Sequence, residues 1–151
     1  LVGEVRETLS DLRTDVNDNR DFAQTAQEFA ERVSARSGVQ VEIDCAATRR
    51  LPILQEREMW RIAQEALANI ERHAQATRAE LRWRCDEQGA LLEVTDDGRG
   101  LPATADDGRL GRPDSYGIVG MRERADSVGA TFEMTSEPGE GTKVRCFLPQ
   151  K

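Results

Sequence analysis

The sequence predicts an α+β fold, a two-layer sandwich in which helices cover one face of a mixed, mostly antiparallel sheet. The first observation is that apolar residues recur every three to four positions early in the chain and again in its middle, as on amphipathic helices. The second is that the later half alternates apolar and polar residues in short runs separated by turns, which is typical of strands. These patterns predict about five strands and three or four helices, three of them on the sheet.

The first part of the chain is expected to be mainly helical. Residues 1–36 carry an apolar stripe that the polar run 17–19 interrupts. Asp21 is a candidate cap for the helix after the break, and Gly38 is placed to end that helix. Residues 39–43 alternate apolar and polar side chains, so a strand is predicted there. A long helix with an apolar face follows over residues 52–74.

The second half is expected to supply the rest of the sheet. Residues 97–116 are rich in Gly, Asp and Pro and predict a loop, and loops of this length within one domain are usually functional or mobile. A short helix is predicted over residues 118–128, because Gly129 is placed to end it. The remaining strands are predicted at residues 79–84, 90–95, 130–136 and 141–148.

Composition limits the classes of function. The chain has 151 residues, a net charge of −7 and 38% hydrophobic residues, as expected for one globular domain. No run approaches the roughly 20 apolar residues of a membrane span, and the acidic balance disfavours direct nucleic-acid binding. Cys45, Cys85 and Cys146 are far apart and form no CxxC pair, which favours a reducing, cytoplasmic compartment over a disulfide framework or a zinc site.

The helix predicted over residues 52–74 also carries a polar stripe. Arg61, Glu65, Asn69 and Arg72 follow one another at helical spacing and therefore share a face. That face is either solvated or forms the edge of a binding site. An asparagine carbonyl oxygen suits Mg²⁺ that is held mainly by phosphates and water, and a carboxylate one turn earlier can accept a proton.

A glycine-rich run directly follows the strand predicted at residues 90–95. Gly98 and Gly100 let the backbone turn tightly and let a flat ligand lie close to it. A buried Asp96 carboxylate would accept a hydrogen bond from the exocyclic amine of adenine, whereas it would repel the carbonyl oxygen of guanine. A plain Asp-Gly turn is the alternative.

Two further positions are candidates for ligand contact. Gly117 and Gly120 open the helix predicted after the long loop, and free amides at a helix start form an anion site suited to phosphates. An ordinary glycine-flanked helix start fits the same residues. Thr142 opens the last strand, where its hydroxyl either hydrogen-bonds near a bound base or reflects the strand preference of threonine.

The four motifs occur in an order that resembles a known family. The runs RIAQEALANIERHA (61–74), VTDDGRG (94–100), YGIVGMRERA (116–125) and GTKVRCFLP (141–149) look like the N box, the two glycine boxes and the closing strand of a sensor histidine kinase catalytic domain. More narrowly, the chain resembles the nitrate-sensor and DesK-like (HisKA_3) subfamily. The resemblance covers about residues 20–151.

This resemblance implies the Bergerat (GHKL) ATP-binding fold, with ATP and Mg²⁺ as ligands. It implies that Asn69 binds Mg²⁺, that Glu65 is the catalytic carboxylate at the metal or its water, and that Asp96 binds the adenine amine. The other residues that it implies at the ATP site are Arg72, His73, Gly98, Gly100, Gly117, Gly120 and Thr142.

The resemblance also implies a division of the chain. Residues 1–19 look like the end of the second dimerisation helix with its linker, and residues 20–151 look like the catalytic domain. An ATP lid is expected at about residues 101–116. Candidate phosphate contacts in and beside the lid are Arg99, Arg109 and Arg112.

The chain has one histidine, His73, and Ala74 follows it. In the family the phosphoacceptor histidine lies in an upstream helix and is followed by an acidic residue. We therefore expect His73 to lie near the phosphates, as a structural neighbour or a direct contact, and not to accept the phosphoryl group.

The function implied is transfer of the γ-phosphoryl group of ATP to a histidine on a dimerisation domain outside this chain. A response regulator, one with a helix-turn-helix output domain, would then receive it on an aspartate. A non-catalytic ATP-sensing module, and a GHKL serine kinase or ATPase, are the alternatives. No contact with nucleic acid or membrane is expected of this chain, whereas the whole kinase is either membrane-anchored or soluble.

Overall fold

The part of the chain that the structure describes is a five-stranded sheet with three helices on it. The computed structural model describes residues 15–99, 117–137 and 139–150, apart from the side chains of residues 73 and 74. The helices are α1 (Phe22–Ser37), α2 (Ile53–Asn69), which continues as a π-helical turn (Ile70–Ala74), and α3 (Ile118–Val128). The strands are β1 (Gln40–Ala47), β2 (Arg78–Asp86), β3 (Gly89–Asp96), β4 (Thr131–Glu137) and β5 (Gly141–Pro149). None of the described helices is long and apolar enough to cross a membrane.

The sheet is mixed, with the strand order β1-β2-β3-β5-β4. β1 and β2 are parallel, because α2 carries the chain back between them, and the other neighbours are antiparallel. The β2–β3 hairpin turns at residues 87–88, and its far end pairs Ala79 with Asp96. The predicted fold class is therefore confirmed.

The helices lie on one face of the sheet because the strands alternate. In β2, Leu81, Trp83 and Cys85 are buried, and the residues between them are charged. Trp83 stacks on Phe22 of α1 with ring centroids 4.0 Å apart, and Trp60 of α2 meets the same Phe22 edge-on. Burying one such side chain contributes roughly 1.5–3 kcal/mol, so this cluster holds α1 and α2 on the sheet.

α1 begins and ends where the sequence predicts. Asp21 Oδ1 accepts the Gln24 N–H at 2.9 Å, while Gln24 Oε1 accepts the Asp21 N–H at 3.1 Å. This reciprocal capping box satisfies two backbone donors at the helix start. Gly38 ends the helix with φ +79°, a left-handed conformation that favours glycine.

The helix predicted over residues 52–74 changes character before its end. α2 stops at Asn69, and residues 70–74 form a π-helical turn. Gln75 then takes a left-handed conformation with φ +51°. Such π turns are frequent at functional sites, and the spacing of apolar residues does not distinguish one from a final α-helical turn.

The segment before α1 is bound to α2 through charged side chains. A turn begins at Asn17, where the sequence predicts a break in the helical pattern. Arg50, which lies just before α2, donates to the Asn17 carbonyl at 2.9 Å. The buried Asp15 carboxylate pairs with Arg61 at 3.0 Å. Residues 1–14, which were predicted to be helical, lie outside the described residues.

Candidate functional site

A narrow, partly open cavity lies between the end of α2 and strands β3, β4 and β5. Its walls are mainly apolar, and its polar lining residues are Asn69, Asp96 and Thr142. A slot with apolar walls and a few polar groups suits a flat heterocyclic ligand. The lining residues are Ala66, Asn69, Ile70, Val94, Asp96, Met134, Thr142 and Val144.

Asp96 carries an unsatisfied acceptor at this cavity. Its Oδ1 accepts the N–H of Gly98 at 2.7 Å, whereas its buried Oδ2 has no hydrogen-bond partner among the described residues. Burial raises the pKa of Asp96 and the charge of Asp97 adds to the rise, whereas the backbone N–H groups of Gly98 and Thr142 oppose it. A buried carboxylate oxygen without a donor is costly, so this atom is suited to accept a hydrogen bond from a ligand.

Two glycines let the backbone approach Asp96. Gly98 provides the N–H described above, which closes a tight turn directly after β3. Gly141 has φ +92°, and a Cβ there would lie 3.0 Å from the Asp96 carbonyl carbon and 3.3 Å from Oδ1. A side chain at position 141 would therefore displace Asp96. From the sequence, Gly141 is predicted only as the first residue of a strand, not as part of the site.

Thr142 lines the cavity from the start of β5. Its Oγ1 lies 3.0 Å from Ser136 Oγ on β4, a neighbour that only the pairing of these two strands supplies. Thr142 and Asp96 therefore face the same cavity, as the motif order implied.

The predicted polar stripe of α2 meets the cavity at Asn69. Asn69 is buried with 5% exposure, and its Oδ1 accepts a hydrogen bond from Arg72 Nη2 at 3.3 Å. The same Nη2 lies 3.3 Å from Glu65 Oε1. Glu65 and Asn69 thus present two oxygens to one cationic group, and this end of the site is more exposed than the Asp96 end.

Gly117 brings the start of α3 against Glu65. Its φ is +66°, and a Cβ there would lie 2.7 Å from Glu65 Cδ and 2.8 Å from Cγ. Any side chain at position 117 would push Glu65 away, so glycine is needed for this close approach. The structure thereby joins the second glycine box to the carboxylate that the resemblance implied is catalytic.

The first turn of α3 provides backbone donors near Glu65. Gly117 has no side chain that could cap α3, so the first N–H groups of α3 donate no hydrogen bond to a side chain at that position. A Cβ at Gly120 would meet no described atom within 4 Å, so packing within the described residues does not require glycine there. Free amides and the helix dipole at such a start favour an anion.

A small divalent cation fits the Glu65 and Asn69 oxygens in chemistry and in number. The described residues contain no cluster of three or more His, Cys, Asp or Glu side chains that could hold a metal ion alone. One amide oxygen beside one carboxylate instead suits Mg²⁺ that arrives with phosphate oxygens and water as its main ligands. Arg72, 51% exposed at its side chain, already places positive charge at that position and is free to turn towards solvent.

Several predicted positions lie outside the described residues. These are Gly100, the lid residues 101–116 with Arg109 and Arg112, and the side chain of His73. The apolar walls, among them Met134 and Val144, were missed as site residues. The alternation of residues in β5 predicts that Val144 faces inward. Which of the inward residues lie near α2 depends on the pairing of β5 with β3 and β4, which the alternation does not show.

Comparison with known proteins agrees with this geometry. Residues 55–151 match the family of histidine kinase-, DNA gyrase B- and HSP90-like ATPases. The chain belongs to this family. This match confirms the predicted ATP-binding domain, and the relatives that the chain resembles within the family include a sensor histidine kinase.

Two curated sensor proteins are similar to this chain over part of their length. Sensor histidine kinase YhcY of Bacillus subtilis is 40% identical over 97 residues, which are 64% of this chain and 24% of that protein. Sensor protein VraS of Staphylococcus saprophyticus is 37% identical over 94 residues, 62% of this chain and 26% of that protein. The chain therefore spans about a quarter of the length of these curated relatives.

The fold is shared with histidine kinases of low sequence identity. Acinetobacter baumannii histidine kinase AdeS superposes with a TM-score of 0.69 at 16% identity, over 99% of this chain and 80% of that one. The histidine kinase domain of a blue-light activated kinase from Erythrobacter litoralis gives 0.63 at 21% identity, over 89% and 64%.

Proposed function

We propose that this domain binds Mg-ATP across the cavity and donates the γ-phosphoryl group to a histidine on a separate dimerisation domain. The observation that carries the proposal is the buried Oδ2 of Asp96 in an apolar slot, which has no hydrogen-bond partner in the part of the chain that the structure describes. Its position at one end, with Asn69 and Glu65 at the other, supports adenine at the Asp96 end and phosphates at the α2 end.

At the adenine end, the Asp96 carboxylate accepts a hydrogen bond from the 6-amine. The Gly98 N–H holds the other carboxylate oxygen, so the free oxygen keeps one direction. Thr142 presents its hydroxyl to the base, through water or directly, while Val94, Met134 and other apolar walls enclose the ring. Guanine places a carbonyl oxygen where the amine should be and is repelled.

At the phosphate end, Asn69 binds Mg²⁺, and Arg72 turns from the Asn69 and Glu65 oxygens towards phosphate. Mg²⁺ neutralises phosphate charge when bound, which is the main requirement of phosphoryl transfer. Glu65 orients water at this position or accepts the proton of the attacking histidine. Gly117 and Gly120 bring the amides at the start of α3 to the phosphates.

The remaining roles rest on the resemblance alone. We assign residues 101–116 as the ATP lid, Gly100 as part of the adenine pocket and His73 as a neighbour of the phosphates. Residues 1–19 are assigned as the end of the dimerisation helix with its linker, and residues 20–151 as the catalytic domain.

The partners follow from the transfer reaction. The dimerisation domain of the same kinase supplies the acceptor histidine, and a response regulator with a helix-turn-helix output domain receives the phosphoryl group on an aspartate. Because ATP is the donor and the cysteines are free, we assign the domain to the cytoplasm.

The test is to mix the wild-type chain with labelled ATP, Mg²⁺ and the dimerisation domain of its kinase. The expected product is acid-labile phosphohistidine on the dimerisation domain, and an Asn69→Ala chain should form much less of it at saturating dimerisation domain. Label on serine would favour a serine kinase, and rapid ATP hydrolysis without transfer would favour an ATPase. ATP binding with neither reaction would favour a sensing module, and each of these three outcomes contradicts the proposal.

A further inference from the structure

Asp97, the second aspartate of the first glycine box, is bound to the segment that follows the N box. Its Oδ1 accepts the backbone N–H groups of Thr77 at 2.9 Å and Arg78 at 3.0 Å. Its Oδ2 accepts the Thr77 hydroxyl at 2.7 Å. The Asp97 N–H donates in turn to the Arg78 carbonyl at 3.2 Å. One exposed aspartate therefore makes four hydrogen bonds to two consecutive residues.

These bonds fix a short stretch of backbone between two parts of the site. Thr77 lies two residues after the left-handed Gln75, which itself follows the π turn of the N box. The Thr77 carbonyl accepts the Gln40 N–H of β1 at 2.9 Å, so Thr77 is held from two sides. Asp97 thereby joins the backbone after Asn69 to the backbone of Asp96.

The contacts of Asp97 lie outside the cavity. This residue is absent from the cavity lining, and it is exposed to solvent. The Arg78 N–H and then the Thr77 hydroxyl lower its pKa, so it is ionised at neutral pH and accepts all three donors. Its neighbour Asp96 has the opposite surroundings, because its Oδ2 is buried and has no donor among the described residues.

We propose that Asp97 is a positioning residue for adenine selection: by pinning the backbone after β3 to Thr77 and Arg78, it holds the Asp96 carboxylate at the cavity. This inference rests on the proposed binding of adenine by Asp96. It predicts that loss of Asp97 weakens the hydrogen bond to the 6-amine specifically, and leaves ring stacking and phosphate contacts largely unchanged.

The test compares ATP with purine riboside triphosphate, which differs from ATP in lacking the 6-amine. In Asp97→Ala, ATP affinity should fall about fivefold or more, while affinity for the analogue should fall less than about twofold. Asp97→Asn should restore ATP affinity to within about twofold of wild type, because an amide oxygen still accepts both backbone N–H groups and the amide nitrogen can donate to Thr77 Oγ.

Asp86→Ala is the matched control, since Asp86 likewise accepts a backbone N–H, that of Gln88 at 2.8 Å, but at the other end of β2. It should change the affinities for both nucleotides equally, if at all. If Asp97→Ala does not fold, Thr77→Val removes the hydroxyl alone and should lower the ATP-to-analogue preference about twofold.

Equal losses for the two nucleotides in Asp97→Ala, no loss at all, or an Asp97→Asn as weak as Asp97→Ala would each overturn the inference. A wild-type chain that binds ATP but shows the same affinity for the analogue would contradict the role of Asp96 and, with it, this inference. A wild-type chain that binds neither nucleotide would overturn the proposed function itself.

Discussion

The start of α2 and the first glycine box both bury carboxylate oxygens, and they treat them in opposite ways. Glu56, 2% exposed, accepts hydrogen bonds from Arg50 Nε at 3.0 Å and from the Phe22 N–H at 3.4 Å. Asp96 receives the Gly98 N–H on one oxygen and no described donor on the other. A buried charge that the protein satisfies serves the fold, whereas one left without a donor indicates a ligand.

Replacing Arg50 should have the largest effect of the changes considered, because it removes the cation that pairs with Glu56. Arg50→Met would leave Glu56 as a buried carboxylate without its cation, so the free energy of unfolding should fall by about 3 kcal/mol. Denaturant unfolding measures this change. The matched control is Arg49→Met, since Arg49 is exposed and next in the chain; it should change stability by less than about 0.5 kcal/mol. A loss for Arg50→Met no larger than that of the control would contradict the structural role of this pair.

Asp96→Asn should show the reverse pattern. Losing the carboxylate should weaken ATP binding by about 2 kcal/mol, roughly thirtyfold. Unfolding stability should stay equal or rise, because burial disfavours the ionised side chain in the folded state. Calorimetric titration and denaturant unfolding of the same protein separate the two effects, with the exposed Asp126→Asn as the control for charge. A destabilised Asp96→Asn protein that binds ATP normally would indicate that Asp96 serves the fold and not the ligand, which would contradict the assignment.

The smallest expected effect is on pH dependence. The pKa of Asp96 is raised in the folded chain, so its ionised form costs stability at neutral pH, and that cost disappears as pH falls through the raised pKa. Adenosine binding should change in the other direction and weaken over the same range, because the amine needs the ionised acceptor. Titrations with adenosine from neutral pH downwards avoid the phosphate groups. The Asp96→Asn chain should lack this pH dependence of adenosine binding. If it shows the same pH profile as the wild-type chain, another group is responsible for the dependence.

The same contrast explains which features of the fold and the site the sequence alone could predict. The cap at Asp21, the helix end at Gly38 and the inward side of β2 depend on local patterns, and the structure confirms them. The order of the motifs predicts that Asn69 and Asp96 belong to one site, and both residues line the cavity between α2 and the sheet.

What the sequence could not predict depends on partners distant in the chain. Glu56 looks like any charged residue on a helix until Arg50 and the Phe22 N–H surround it. Gly141 becomes necessary only where β5 passes Asp96, and the π turn after Asn69 leaves no mark in apolar spacing. These features arise from packing between elements, which periodicity does not encode.

The most direct test of the central claim compares the affinity of the wild-type chain for ATP and for purine riboside triphosphate. If the free Oδ2 of Asp96 accepts the 6-amine, the analogue should bind at least about tenfold more weakly than ATP. The difference should vanish in Asp96→Asn. Equal binding of the two nucleotides by the wild-type chain would contradict the claim that this buried oxygen is an adenine acceptor.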